Sequence, residues 1–259
     1  MIEDAGIADD DVERAWRLTR AAYDDPEHEG LEIDDTRAII DISGRHVHVA
    51  FRGTATPLNA AHDVAFLLLP LSDFPALRVG DDEWAARVHG GFAKMASNVA
   101  DRLAERLEKW PRRTVVLSGH SLGGALAILV GGALKGRGRS IQLCTFGAPP
   151  VGNGVFKMAF DKKILHAFRF VHSGDAVPSL GGYAHTKGGL YIVGDKVSEG
   201  FARFSFLALF RCFVCLGGPL AGASSMLFYR EKLREALRVA QRAQKSDPLR
   251  SAPSWMKVS

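Results

Sequence analysis

Residues 114–132, TVVLSGHSLGGALAILVGG, constrain the fold more than any other part of the chain. The segment opens with a short β-branched run typical of a buried parallel strand and continues into small apolar residues that can pack as a helix. Between them, residues 119–123 fit the pattern G-x-S-x-G. A strand-to-helix turn this tight strains its central residue and requires small neighbours. We therefore predict that Ser121 is a nucleophile facing the amide of Leu122; the alternative is a glycine-rich structural turn.

The chain is long enough to bury one α/β core. It has 259 residues, 47% of them hydrophobic, and no Pro/Ser/Gly-rich linker divides it, so we expect a single domain over residues 1–259. The acidic N-terminal stretch lacks the basic and apolar regions of a signal peptide. Three cysteines in apolar contexts favour a reducing compartment. We expect a cytoplasmic protein, with peripheral membrane association as the alternative.

Alternating strand and helix patterns predict an α/β fold with a mostly parallel central sheet flanked by helices. Helices are predicted at residues 9–23 and 92–110, and strands at 37–42, 45–51, 140–146 and 164–172. In the strand 45–51, His46 and His48 share one face. No acidic or cysteine partner stands at metal spacing, so we expect both to be exposed strand positions rather than ligands.

Candidate site residues follow the predicted strands, where parallel sheets bind their ligands. Thr54 follows the strand 45–51 and can offer donors to an oxyanion. Asp175 follows the strand 164–172, and the order Ser…Asp…His is that of an α/β-hydrolase. Asp175 would then orient a histidine; the alternative is a turn-forming aspartate beside Gly174.

Two further segments allow two interpretations each. Residues 64–84 combine dense apolar residues with prolines, which fits a hydrophobic flap over a site and equally a buried loop. Residues 230–250 carry seven basic and three acidic residues in an amphipathic helical pattern. This C-terminal helix is either a solvated face or a contact with an anionic bilayer.

Several function classes are disfavoured. The chain shows no P-loop, no G-x-G-x-x-G fingerprint, no metal-ligand cluster and no basic patch interleaved with aromatics. We therefore expect no cofactor, no metal and no nucleic-acid partner. Arg211 and Pro219 interrupt the apolar run 201–223, so we predict no transmembrane span there.

Taken together, these motifs resemble the class 3 (fungal-type) lipases of the α/β-hydrolase superfamily, over about residues 47–233. The matching motifs are residues 49–54 (VAFRGT), Asn59 with Asp63, 88–92 (VHGGF), 119–127 (GHSLGGALA), 145–149 (TFGAP), 151–153 (VGN) and 175–178 (DAVP). The resemblance implies an α/β-hydrolase fold and a lid at residues 64–86, after the second strand of that fold. It also implies a serine carboxylic-ester hydrolase acting on acylglycerols, phospholipids or small esters, in contact with a membrane or lipid-droplet surface.

The resemblance also implies roles for individual residues. Ser121 would be the nucleophile, Asp175 the acid of the triad, and Thr54 with the Leu122 amide the oxyanion hole. Ser224, however, occupies the position where the family has its catalytic histidine. A hydroxyl cannot act as a general base at neutral pH.

Three explanations remain open for Ser224. They are a deliberate replacement of the histidine, a natural loss of activity, and a triad rearranged around His185, which alone among the histidines follows Asp175. The function alternatives are accordingly an ester hydrolase and a catalytically silent lipid-binding homologue.

Overall fold

The computed structural model describes residues 9–25, 28, 30–33, 36–53, 67–79, 85–164, 166–172, 177–178, 184–186, 189–193 and 196–199. The helices are α1 (Asp9–Asp24), α2 (Gly90–Leu107), α3 (Leu122–Gly136) and α4 (Gly154–Lys163). The strands are β1 (Gly30–Ile33), β2 (Thr36–Ser43), β3 (His46–Phe51), β4 (Leu68–Pro70), β5 (Arg87–His89), β6 (Thr114–His120), β7 (Ile141–Phe146), β8 (His166–His172), β9 (Gly189–Val193) and β10 (Lys196–Glu199).

An eight-stranded sheet forms the centre of the fold, in the order β1-β2-β3-β6-β7-β8-β9-β10. The strands from β3 to β9 in that order run parallel, whereas β1, β2 and β10 add antiparallel edges. Short β4 and β5 pair separately. The parallel centre follows from the strand–helix alternation of the sequence and confirms the predicted architecture.

Helices cover both faces of the sheet. On one face, α2 and α3 share a large hydrophobic cluster with residues of β3, β6 and β7. On the other, α1 packs on the same central strands through a smaller apolar cluster made of Leu18, Ala22, Ile39 and Ala50. The turn at Ser121, referred to below as the elbow, lies at the carboxyl end of β6 and leads directly into α3.

The predicted periodicities place the expected residues inside. Ala96, Val99, Leu103 and Leu107 of α2 are buried, as their helical spacing indicates. The hairpin between β2 and β3 turns at Gly44, whose φ of 54° suits a residue without Cβ.

Six elements are not predicted by the sequence patterns: β1, β4, β5, α4, β9 and β10. The signal for α4 was Asn153, whose side-chain oxygen accepts from the Phe156 amide at 3.0 Å and caps the helix. The same oxygen accepts from the Arg87 amide at 3.1 Å, which joins α4 to β5. The motif residues 151–153 therefore serve as a structural junction.

The part of the predicted lid that the structure describes packs against the body. Leu71 and Leu77, in two short 3₁₀ turns (Leu71–Asp73 and Pro75–Leu77), are fully buried, as is Val79. Leu67, by contrast, is 58% exposed. Residues 64–66 and 80–84 lie outside the described residues, and the lid stays a prediction.

Several predicted features lie outside the described residues: Thr54, Asp175, Ser224, the run 201–223 and the C-terminal helix 230–250. Cys144 is a buried free thiol, and burial raises its pKa well above the usual value. In the described ranges, the helices all fall short of the length and apolarity needed to cross a bilayer.

Candidate active site

Ser121 lies between the last residue of β6 and the first residue of α3. Its backbone has φ 55° and ψ −123°, and it is the one non-glycine residue with positive φ in the described part of the chain. Its amide donates to the Phe146 carbonyl at 3.0 Å, which ties the turn to the end of β7. Such a backbone costs about 1–3 kcal/mol and persists only where its surroundings hold it. The strained turn predicted from G-x-S-x-G is therefore present.

Glycines 119 and 123 permit the close packing around this turn. A Cβ on Gly119 would lie 2.3 Å from the carbonyl carbon and oxygen of Gly123. A Cβ on Gly123 would lie 2.3 Å from the Phe51 carbonyl oxygen and 3.0 Å from the Arg52 carbonyl carbon. The first turn of α3 thus abuts the chain that leaves β3. Amides of a first helical turn have no intrahelical partner, so that of Leu122 is available to a substrate oxygen.

Tyr23 of α1 supports the same corner. Its hydroxyl lies 3.2 Å from Nδ1 of His120, and a Cβ on Gly53 would approach that hydroxyl to 2.2 Å. Tyr23 therefore contacts His120, the residue before Ser121, and closely approaches Gly53, the residue before Thr54. The sequence motifs gave no indication of this support, because Tyr23 stands about 100 residues before the elbow.

Burial sets the ionisation of both partners. It lowers the pKa of His120 to about 4. It raises the pKa of Tyr23 to about 12, against smaller lowering effects of a Gly53 backbone hydrogen bond and of the Arg52 charge. Both side chains are therefore neutral at pH 7, which suits a supporting role better than proton transfer.

His185 is half-buried and bonded to the backbone. Its Nε2 lies 2.6 Å from the Pro178 carbonyl oxygen, and a carbonyl can only accept, so Nε2 carries the proton. Burial and the nearby Arg169 charge lower the pKa of His185 to about 4, although the Pro178 contact raises it. His185 is thus a neutral imidazole whose Nε2 is engaged. Its role as a base stays a prediction, as do the roles of Thr54, Asp175 and Ser224, which lie outside the described residues.

Comparison with known proteins identifies the family. The model of the family described as Lipase (class 3) matches residues 48–184, which is more than half of the chain. The chain belongs to the class 3 lipase family.

Individual relatives agree with this assignment. A lipase of Caenorhabditis elegans is 35% identical over 142 residues, which make up 53% of this chain and 38% of that protein. A lipase of Rhizopus niveus is 31% identical over 143 residues, 52% of this chain and 34% of that protein. This class 3 lipase chain is thus matched to little more than a third of the length of these relatives.

The fold is that of solved lipases. The structure of Lip2 lipase from Yarrowia lipolytica superposes with a TM-score of 0.64 at 22% identity, covering 84% of this chain and 95% of the other. The protein therefore has the α/β-hydrolase fold that the order of its motifs predicts.

One prediction about this class 3 lipase is wrong. His46 and His48 were expected to be exposed and without an acidic partner, but His48 is 1% exposed and both rings contact Asp11 of α1. The reason is that α1 covers their face of β3. Sequence spacing along one strand cannot reveal a partner that a helix brings from 35 residues away.

Proposed function

We propose that this chain hydrolyses carboxylic esters of lipids through Ser121. The observation that carries the proposal is the strained backbone of Ser121, at φ 55° between a parallel strand and a helix N-terminus. This geometry sets the hydroxyl of Ser121, a residue that is 5% exposed, beside the Leu122 amide, the arrangement that acyl transfer requires. Membership of the class 3 lipase family supports acylglycerols, phospholipids or small esters as substrates.

The reaction would proceed by acyl transfer. The Ser121 hydroxyl attacks the ester carbonyl and transfers its proton to a base, the alcohol leaves with a proton, and water then releases the carboxylic acid. The Leu122 amide would hold the oxyanion. Thr54 would act with it, because its chain leaves β3 directly against the first turn of α3. Asp175 would orient the base.

A second candidate function is ester binding with very slow turnover. Two observations favour it: Ser224 stands where the family has its histidine, and the Nε2 of His185 is engaged with the Pro178 carbonyl. Removing the base of a serine triad can lower kcat by ~10⁶, while the oxyanion hole and binding still leave ~10³ over water.

The nucleophile is tested by labelling with an organophosphonate, followed by mass spectrometry of the peptides. We expect the adduct on Ser121 and its loss in Ser121→Ala, with Ser140→Ala, an exposed serine, as the matched control. Labelling that persists in Ser121→Ala would overturn the assignment.

The base is tested by kcat on p-nitrophenyl esters of several chain lengths. If position 224 is an empty base slot, Ser224→His raises kcat by several orders of magnitude and His185→Ala changes it little. If His185 is the base, His185→Ala abolishes turnover and Ser224→His adds little. The first result assigns the chain to the slow-turnover function, and the second to the hydrolase.

We also infer that the lid segment contacts a lipid surface. Leu67 lies near the start of the predicted lid and is 58% exposed. Its apolar side chain would leave water and contact lipid at such a surface. Leu67→Ala should reduce the rise in activity or binding between dissolved ester and micelles. Met158→Ala is the control, because Met158 on α4 is as exposed as Leu67 and lies outside the predicted lid. Identical behaviour of the unmodified chain on monomers and micelles would refute the contact.

A further inference from the structure

Three metal-ligating side chains meet between α1 and β3. Asp11 stands in the first turn of α1, and His46 and His48 occupy alternate positions on one face of β3. His46 Nδ1 lies 2.9 Å and His48 Nε2 3.2 Å from Oδ1 of Asp11. The three ligand atoms all lie within 4.8 Å of one another. We propose that Asp11, His46 and His48 bind one zinc ion on the face of the sheet that α1 covers.

His48 supplies an independent reason for a ligand. Its side chain is 1% exposed, and neither ring nitrogen makes a hydrogen bond among the described residues. The contact of Nε2 with Asp11 is within ion-pair distance but lacks hydrogen-bond geometry. A buried polar atom without a partner destabilises the fold. A bond from Nε2 to a metal gives this atom its partner.

The distances suit a tetrahedral ion. Zinc bonds to imidazole nitrogen and carboxylate oxygen are about 2.0–2.2 Å long, which places neighbouring ligand atoms about 3.3 Å apart. The two nitrogens lie 2.9 and 3.2 Å from the same oxygen, so each of these two separations is within about 0.4 Å of that spacing. The two nitrogens lie within 4.8 Å of each other.

The charge of the cluster also suits a cation. Asp11 supplies a carboxylate and the two histidines supply imidazole nitrogens, which are donor atoms that suit a divalent transition-metal cation. Arg14, one turn further along α1, pairs with Asp41 at 2.5 Å. The neighbouring cation is therefore engaged with another carboxylate than Asp11.

The ligand types select the metal. Two imidazoles and one carboxylate are characteristic of zinc and related transition metals, whereas calcium and magnesium require mainly oxygen ligands. The His46 side chain is 27% exposed and that of Asp11 12%, so water can reach a fourth coordination position. Three protein ligands with one open position are a known zinc arrangement.

The site lies away from the elbow. His48 pairs with Val116 in the parallel register of β3 and β6, five residues before Ser121, or about 16 Å along the strand. Zinc there would fasten the start of α1 to β3 without touching the ester. The proposal is therefore independent of the proposed hydrolase function.

The test uses the full chain without an affinity tag, stripped of metal by a chelator and dialysed. Titration with Co²⁺ should produce the visible absorption of a four-coordinate ion that saturates at one equivalent, and Zn²⁺ should displace it. Zn²⁺ should also raise the Tm of the metal-free chain, because the ion binds the folded state. His46→Gln and Asp11→Asn should each weaken Zn²⁺ binding by at least about 100-fold and remove the Tm increase.

The matched control is His28→Gln. His28 lies 3.5 Å from Asp25 in an imidazole–carboxylate pair to which the described residues add no third ligand, and its replacement should leave Zn²⁺ affinity unchanged. The replaced side chains of His46 and Asp11 are partly exposed, so these variants keep the proposal testable if a His48 variant fails to fold. Absence of stoichiometric binding, or affinity unchanged in both ligand variants, would overturn the proposal.

Discussion

The two faces of the central sheet differ in how much polar contacts add to apolar packing. Towards α2 and α3, β3 and β6 direct Val47, Val49 and Leu117 into one continuous hydrophobic cluster. Towards α1, the same strands direct His48 and Ser118 into polar contacts with a helix that is far away in sequence.

The apolar and the polar contacts of the sheet have different roles. Apolar burial depends on area and little on direction, so the α2/α3 face supplies stability. Hydrogen bonds contribute less net free energy, but they require defined distances and angles. We therefore interpret the polar contacts as fixing the position of α1, and with it that of Tyr23 beside the elbow.

The largest loss of stability is expected from adding a side chain at Gly123, where the first turn of α3 packs closely against the chain that leaves β3. Gly123→Ala would place a Cβ 2.3 Å from the Phe51 carbonyl oxygen, against backbone that cannot move alone. We expect a loss of at least about 3 kcal/mol in the free energy of unfolding, measured with urea. Gly154→Ala, where a Cβ meets nothing within 4 Å, is the control and should cost nothing. Equal stability of the two variants would contradict the packing described.

Neighbouring residues of β6 compare the two faces directly. Leu117→Ala, on the apolar face, should cost about 2–5 kcal/mol of unfolding free energy. Ser118→Ala, on the α1 face, removes a hydroxyl that accepts from Thr19 at 3.0 Å and should cost about 1–3 kcal/mol. Combining Ser118→Ala with Thr19→Val should recover part of this loss, because no buried hydroxyl is then left unpaired. A larger loss for Ser118→Ala than for Leu117→Ala would reverse the comparison.

Lowering the pH should destabilise the protein through His120, which contacts Tyr23 of α1. Burial lowers the pKa of His120 to about 4, below the ~6.5 of an unfolded histidine, so the unfolded chain binds its proton first. Stability is therefore full above pH 6.5 and is lost as the pH falls towards 4. From pH 7 to pH 5 this group accounts for about 2 kcal/mol of unfolding free energy.

The measurement compares urea unfolding of the parent and of His120→Gln at pH 7 and pH 5. The variant should lose about 2 kcal/mol less on acidification. His185, whose pKa is likewise lowered to about 4, contributes with the same sign in both proteins and so does not affect the difference. An identical pH dependence of the two proteins would argue against a neutral, buried His120.

The smallest effect is expected at the rim of the α1 face. Arg14 and Asp41 form an ion pair at 2.5 Å, with side chains 36% and 29% exposed. Such pairs contribute about 0–1 kcal/mol and are screened by salt. Arg14→Met should therefore change the unfolding free energy by less than about 1 kcal/mol, and less still in 1 M salt. If Arg14→Met lowered the unfolding free energy by more than about 1 kcal/mol at every salt concentration, the Arg14–Asp41 pair would hold α1 more strongly than the Ser118 hydrogen bond does.

Periodic apolar patterns in the sequence predict the α2/α3 side of the sheet, which is stabilised mainly by apolar burial. The apolar face of β3, the buried side of α2 and the strained turn at Ser121 can be predicted from the sequence, because each depends on residues that are close along the chain. Short β1, β9 and β10 are not, since strands of four or five residues carry too little periodicity.

The surroundings of His48 and His185 depend on contacts between segments that sequence patterns do not reveal. His48 has the spacing of an exposed strand residue, and only the position of α1 makes it buried. His185 follows Asp175 in the order of a triad, yet its Nε2 bonds to a backbone carbonyl seven residues earlier. In each case the deciding partner lies outside the segment that carries the histidine, and the spacing of residues around the histidine does not reveal it.

The distance in sequence between α1 and its polar partners has a consequence during synthesis. Thr19 meets Ser118 across 99 residues, whereas Asp11 meets His46 across 35. At the ~5–20 residues per second of translation, β6 leaves the ribosome ~5–20 s after α1. In that interval only segments made before β6 can cover Val12 and Trp16, which are buried in the finished protein. A nascent chain paused before β6 should therefore be the species that chaperones bind and proteases cut.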